Sequence, residues 1–167
     1  MNILSEAEIE HIALQTLQQQ GYETINGPQI ERAYSEVLLT TRLQAAIARI
    51  NPEIPADIQE EALRQVLRVQ HPTLLANNEA FHQLLTEGVD VKGREGSQIK
   101  TFKVWLIDFQ HPGNNDFVAV NQFTIVENQY NKRPDIVLFI NGLPLVVIEI
   151  KNASDEKATV KNAFDQL

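Results

Sequence analysis

The chain has 167 residues, 43% hydrophobic and 22% charged, which is enough to bury a core and fits one ordinary globular domain over residues 1–167. No apolar stretch reaches the length of a membrane span, and Met1-Asn-Ile-Leu-Ser-Glu lacks the basic and apolar regions of a signal peptide, so residence in the cytoplasm without a membrane partner is expected. The absence of cysteine excludes disulfides and thiolate metal sites, and the four histidines (His11, His71, His82, His111) are too scattered for a local zinc motif, so any metal is held by oxygen.

Net charge is −8, and all the excess acidity lies in the first half: residues 1–90 hold 13 acids against five arginines and no lysine, whereas residues 91–167 hold nine acids and nine bases. Affinity for duplex nucleic acid comes largely from basic side chains neutralising phosphates. An acidic chain of this kind cannot hold DNA by charge alone.

In chain order, Ser5-Glu-Ala-Glu8 reads as a capping box for a helix over residues 6–20, with Ile9, Ile12, Ala13 and Leu17 on one face and Gly21 at its end. Glu10 lies at the edge of that stripe, where it could turn toward a strand; the ordinary reading is a solvated carboxylate. Residues 28–36 read as loop or a short helix. A helical pattern at Leu39, Leu43, Ala46, Ile47 and Ile50 is stopped by Asn51-Pro52, and a further helix begins at Pro55-Ala56-Asp57 and runs through Leu63, Val66 and Leu67. Asn77 or Asn78 is expected to cap a shorter helix through Phe81, Leu84 and Leu85, closed by Gly88.

Composition then shifts to β-branched and aromatic residues over 89–92, 99–109 and 117–126, separated by turn-forming segments. Two further strands, 136–140 and 145–150, flank Asn141-Gly142, and a last helix is expected from about residue 157. Lys92, Arg94, Lys100 and Lys103 form a basic cluster that suits either a phosphate backbone or a solvated hairpin tip, and His111 beside two asparagines reads as a turn histidine.

The apolar run Leu145-Val-Val-Ile148 reads as a strand buried on both faces, and it ends in Glu149 and Lys151, with Asp135 one strand and a turn earlier. A charge at such a position is costly unless paired or bound to metal. Asp followed by Glu-x-Lys is the set of groups that a magnesium-dependent phosphodiesterase needs; a strand emerging into solvent with a charged tip is the plainer alternative.

The segments Phe117-Val-Ala-Val-Asn-Gln-Phe-Thr-Ile-Val126 and Arg133-Pro-Asp-Ile-Val-Leu-Phe-Ile-Asn-Gly-Leu-Pro-Leu-Val-Val-Ile-Glu-Ile-Lys-Asn152 resemble the amino-terminal nuclease domain of the restriction (R) subunit of type I restriction-modification enzymes. The resemblance extends to Ser5-Glu-Ala-Glu-Ile-Glu10, Gln20-Gly-Tyr22, Asn51-Pro52, Phe81-His82 and Gly88-Val89. It ends in Ala163-Phe-Asp-Gln166, which resembles the start of the family's Gln-x-x-x-Tyr motif; the motif is left incomplete at Leu167. It implies an α/β (α+β) fold of the PD-(D/E)xK type, a mixed central β-sheet flanked by helices with a helical amino-terminal half, and DNA cleavage dependent on Mg²⁺, for which Mn²⁺ substitutes. It also implies that the chain is an N-terminal fragment of a longer subunit, that ATP is used only by motor domains absent from these residues, and that the partners are double-stranded DNA and the methyltransferase and specificity subunits. A catalytically silent docking module and a standalone nuclease of the same superfamily are the alternatives.

On that reading Asp135, Glu149 and the backbone carbonyl of Ile150 are the metal ligands and Lys151 handles the attacking water. Glu10 is a candidate further carboxylate from the first helix and Gln166 a candidate orienting group from the last. One metal can touch both acids only if they share a sheet face. A plain two-residue turn at Asn141-Gly142 would set Asp135 opposite Ile148, leaving Glu149 on the wrong face, so a three- or five-residue connection or an equivalent bulge is expected.

Overall fold

The computed structural model describes residues 5–68 and 71–151. A single domain was expected; the chain divides into two compact units, one formed by Met1–Leu38 with Phe117–Leu167 and the other by Leu39–Asp116, which lies between them in the sequence.

The first unit starts with helix α1 (Glu6–Gln19), opened by the expected capping box. The Glu8 amide donates to Ser5 Oγ at 3.3 Å and Glu8 Oε2 accepts from the Ser5 amide at 2.7 Å, which holds the Glu8 carboxyl below its ordinary range. Ile9, Ala13, Leu14 and Leu17, with Tyr22, pack on Ala119, Ile136 and Ile150. Ile12, expected on this face, is exposed, and Leu14 takes its place. Glu10 is thus not beside the packed stripe but in line with it, since 10, 13, 14 and 17 follow the i, i+3, i+4, i+7 spacing of one helical face.

Strand β1 (Glu23–Asn26) follows, a four-residue segment with no alternation to betray it in the sequence. It owes its existence to pairing: it lies parallel to β4 (Phe117–Asn121), which in turn pairs antiparallel with β7 (Ile136–Ile140), and β7 with β8 (Leu143–Ile148). The order β1-β4-β7-β8 is the mixed sheet that was expected. Val118, Ala119, Val120, Ile136, Val137 and Phe139 are buried, so the two central strands carry the core. The apolar run of β8 is not buried on both faces: β8 is an edge strand of the described sheet, and Val146 and Val147 are 46% and 47% exposed.

The expected strand over 117–126 is broken in two. It turns at Gln122, whose φ of 54° is left-handed, and resumes as β5 (Ile125–Glu127), paired with β6 (Tyr130–Lys132) in a separate small hairpin. Gly27, after β1, fixes this corner from behind, because a Cβ there would lie 2.6 Å from the Gln122 carbonyl oxygen and 2.8 Å from that of Asn121. Both neighbours are backbone, so Gly27→Ala is expected to cost about 1–3 kcal/mol, as overpacking does. A urea midpoint unchanged from wild type would contradict this close approach.

The second unit contains α2 (Thr40–Ile50), α3 (Ala56–Leu67), α4 (Leu74–Glu87) and the hairpin of β2 (Val89–Glu95) with β3 (Gln98–Val104). Its core is Leu43, Ala46 and Ile47 of α2, Ile58, Ala62, Leu63 and Val66 of α3, and Val89, Val91, Phe102 and Val104 of the hairpin. Helix α4 begins four residues earlier than an Asn77 cap requires: Thr73 is the N-cap, accepting from the Ala76 amide at 3.2 Å, while Asn77 Oδ1 accepts from the His71 amide instead. Asn51 stops α2 and also staples the unit, its side chain donating to the Ile47 and Trp105 carbonyls at 2.9 and 2.8 Å and accepting from the Trp105 amide at 2.8 Å.

Candidate active site

Asn141 and Gly142 form a two-residue turn with φ of 53° and 80°, the left-handed pair for which Asn-Gly is the favoured sequence, and Ile140 pairs directly with Leu143. This is the short turn, not the three-residue loop. The parity is restored further along: Phe139 pairs with Pro144 but Leu138 with Val146, leaving Leu145 as an extra residue in β8. Beyond the bulge Val137 pairs with Val147 and Ile136 with Ile148. One further step of the same register sets Asp135 opposite Glu149.

The side chains then separate by face. Ile136, Ile148 and Ile150 pack toward α1, so alternation gives Asp135, Glu149 and Lys151 to the other face of the strand ends. Asp135 Oδ2 accepts the Ile150 amide at 2.7 Å, which ties the first acid to the backbone between Glu149 and Lys151. Lys151 Nζ lies 3.5 Å from Glu149 Oε1, with the two side chains 26% and 12% exposed. Glu149 is therefore met by a cation, as its burial demands.

Glu10 is not a solvated helix carboxylate. It is partly buried, and its two oxygens accept from different side chains, Oε1 from Asn121 Nδ2 and Oε2 from Gln122 Nε2, each at 2.8 Å. The Gln122 amide also donates to the Asp135 carbonyl at 2.9 Å. These two amide residues were legible only as part of a strand pattern; nothing in their spacing marks them as partners of a helix 111 residues away. Gln166 and the expected last helix lie outside the described residues.

Oxygen donors at the end of a pair of strands, with a lysine beside them, suit a hard divalent cation. Among the described residues no group of three or more His, Cys, Asp or Glu that could hold a metal converges on one point, so a cation here would rest on Asp135 and Glu149 with a backbone carbonyl. The other sequence candidates lie in the second unit. Lys100 and Lys103 pair with Glu95 and Asp90 at 2.9 and 2.7 Å, while Lys92 and Arg94 alternate along the outer face of β2. His111 is a turn residue, its ring 3.6 Å from Asp108, whose carboxyl is held low by hydrogen bonds from the His111 amide, the Asn114 side chain and the Gln110 amide.

The family model described as type I restriction enzyme R protein N terminus matches residues 3–167. The chain belongs to this family. It is 38% identical to the type I restriction enzyme HindI endonuclease subunit of Haemophilus influenzae over 98% of its length, and 31% identical to a putative type I restriction enzyme MjaIXP endonuclease subunit of Methanocaldococcus jannaschii over 94%. It spans 16% of the length of each of these relatives. As an R protein N-terminal chain it places Asp135, Glu149 and Lys151 on one sheet end through a bulge rather than a long turn, and it adds a carboxylate from α1 fastened to the end of β4.

Proposed function

We propose that this chain is the endonuclease module of a type I restriction enzyme, hydrolysing phosphodiester bonds of foreign, unmodified DNA in a reaction that depends on Mg²⁺. The observation that carries the reading is the Asp135 carboxylate on the Ile150 amide, between Glu149 and the Lys151 ammonium that meets it, in a chain matched almost end to end by its family. Asp135, Glu149 and the Ile150 carbonyl would hold the cation. When bound, the metal supplies Lewis-acid neutralisation of the phosphate and lowers the pKa of a coordinated water.

The residues of the chain do the rest. The Ile150 amide fixes one oxygen of Asp135, leaving lone pairs on the carboxylate for a ligand. Lys151, held within reach of Glu149, orients the attacking water and stabilises charge as the new oxygen–phosphorus bond forms and the opposite one breaks. Without metal the same ammonium offsets part of the carboxylate charge.

An attached ATP-driven motor would deliver DNA, and methyltransferase and specificity subunits would restrict it to unmodified sequences, in the cytoplasm. Among the described residues no helix is long and apolar enough to cross a membrane. A divalent-ion titration of cleavage separates this reading from a silent docking module: wild type is expected to cut only with Mg²⁺ or Mn²⁺, and Lys151→Ala to stay inactive at every concentration. Ion-independent or absent cutting by the complete enzyme would favour the docking module.

The charge distribution yields a further expectation. At −8 overall, residues 1–167 should bind duplex DNA no more tightly than roughly 10⁻⁴ M at physiological salt, the weak end of non-specific binding. Salt-resistant, micromolar binding in an anisotropy titration would contradict delivery by a motor.

A further inference from the structure

The carboxylate of Glu10 has an unusual seating. Asn121 and Gln122 are consecutive, and regular alternation would send their side chains to opposite faces of the sheet. The left-handed φ of 54° at Gln122 ends β4 and breaks that alternation, so both amides reach the same carboxylate. Non-glycine residues adopt this conformation at a cost and keep it where surrounding contacts enforce it. Here they do so from three sides. Gly27 lies so close to the Asn121 and Gln122 carbonyls that no Cβ would fit there, the Arg32 guanidinium lies 3.7 Å over the Phe123 ring and donates to the Thr124 carbonyl, and the Gln122 backbone amide is bonded to the Asp135 carbonyl.

We propose that Gln122 is a positioning residue that couples α1 to the metal ligand Asp135, and that Glu10 acts through it rather than as a ligand or a proton carrier. The inference rests on the nuclease reading of Asp135. The link runs from the Glu10 carboxylate to the Gln122 side chain at 2.8 Å, and from the Gln122 backbone to the Asp135 carbonyl at 2.9 Å. A hydrogen bond to its carbonyl fixes the peptide plane of Asp135, and the Ile150 amide fixes its carboxylate, so the acid is held at both ends. Both Glu10 oxygens are taken up by the side-chain amides of Asn121 and Gln122, and Ile136 and Ile150, the neighbours of Asp135 and Glu149 along their strands, pack with α1. A carboxylate so held can orient Gln122, whose backbone amide meets the Asp135 carbonyl.

The experiment is a Mn²⁺ titration by electron paramagnetic resonance on the complete, nucleotide-free subunit, with Asp135→Ala subtracted to isolate this site. Gln122→Leu and Glu10→Leu each break the link and are expected to weaken Mn²⁺ binding about 10- to 100-fold, the usual cost of losing an outer partner of a metal ligand. Combined, they should be no worse than either alone, because both cut one connection. Glu10→Gln is expected to bind within a few-fold of wild type, since the Gln122 amide can turn over and accept from the new amide. In cleavage, Gln122→Leu should raise the Mg²⁺ concentration at half-maximal rate and leave the saturated rate nearly unchanged.

Wild-type Mn²⁺ affinity in Gln122→Leu would overturn the proposal. So would a Glu10→Gln variant as defective as Glu10→Leu, which would make the charge itself the agent. Wild-type binding by Asp135→Ala would instead remove the metal site, and the positioning role with it. Should Gln122→Leu fail to fold, Glu10→Leu against Glu10→Gln gives the same discrimination.

Discussion

Asp135→Ala and Lys151→Ala are each expected to lower DNA cleavage by the complete subunit about 10³-fold or more, with ATP hydrolysis and translocation largely intact. On the proposed reading, losing Asp135 would remove a ligand of a cation that contributes several kcal/mol of transition-state stabilisation, and each 1.36 kcal/mol is a factor of ten in rate. Losing Lys151 would remove the proposed water-orienting group, an effect of about 10²–10⁴-fold, and leaves the 12%-exposed Glu149 without its cation at 3.5 Å. On the proposed reading the motor is expected to be spared, because Asp135 just before β7 and Lys151 just after β8 belong to the cleavage site and not to the part that uses ATP. Single-turnover cleavage beside an ATPase assay checks both halves. A near wild-type cutting rate in either variant would reject the site, and a parallel loss of ATPase would point to misfolding.

The largest expected effect on stability is at the packed aromatic pair behind that site. Phe123 and Phe139 are fully buried and meet edge to face with ring centroids 5.1 Å apart, and the Arg32 guanidinium lies 3.7 Å from the Phe123 ring centroid. Phe139→Ala or Phe123→Ala should therefore cost about 3–5 kcal/mol, the transfer term plus the cavity left behind. That is a large fraction of a typical domain's 5–15 kcal/mol. Burial already holds the Arg32 guanidinium below its ordinary pKa, and its hydrogen bonds to the Ala33, Glu36 and Thr124 carbonyls depend on the ring beneath it. Phe139 also pairs with Pro144 next to the bulge, so its loss threatens the register that aligns Asp135 with Glu149. Urea unfolding measures the cost, with Phe109→Ala, 60% exposed, as the control expected to shift stability by less than about 0.5 kcal/mol. Equal midpoints for the buried and exposed variants would refute this assignment of the core.

Much of this protein is written locally. Ser5 and Glu8 specify the start of α1, Asn141-Gly142 specifies its turn, Gly88 closes α4, and the pattern of Leu43, Ala46 and Ile47 specifies α2, because caps, left-handed turns and helical stripes are short-range properties of the chain. The candidate triad was equally legible as residue types at a spacing, and parity alone required an odd residue between Asp135 and Glu149.

Which device supplies that residue was beyond the sequence. A three-residue loop and a two-residue turn followed by a bulge satisfy the same parity, and only cross-strand pairing chose the bulge at Leu145. The same holds for β1, whose four residues become a strand through the parallel edge of β4, and for β8, whose apolar run reads as central yet lies at an edge. Exposure depends on what packs alongside, which no local pattern records. Glu10 is the sharpest instance. Its type and helix were plain, but its partners Asn121 and Gln122 are brought to it by the packing of α1 on the sheet and by one left-handed residue, and both are properties of the folded chain.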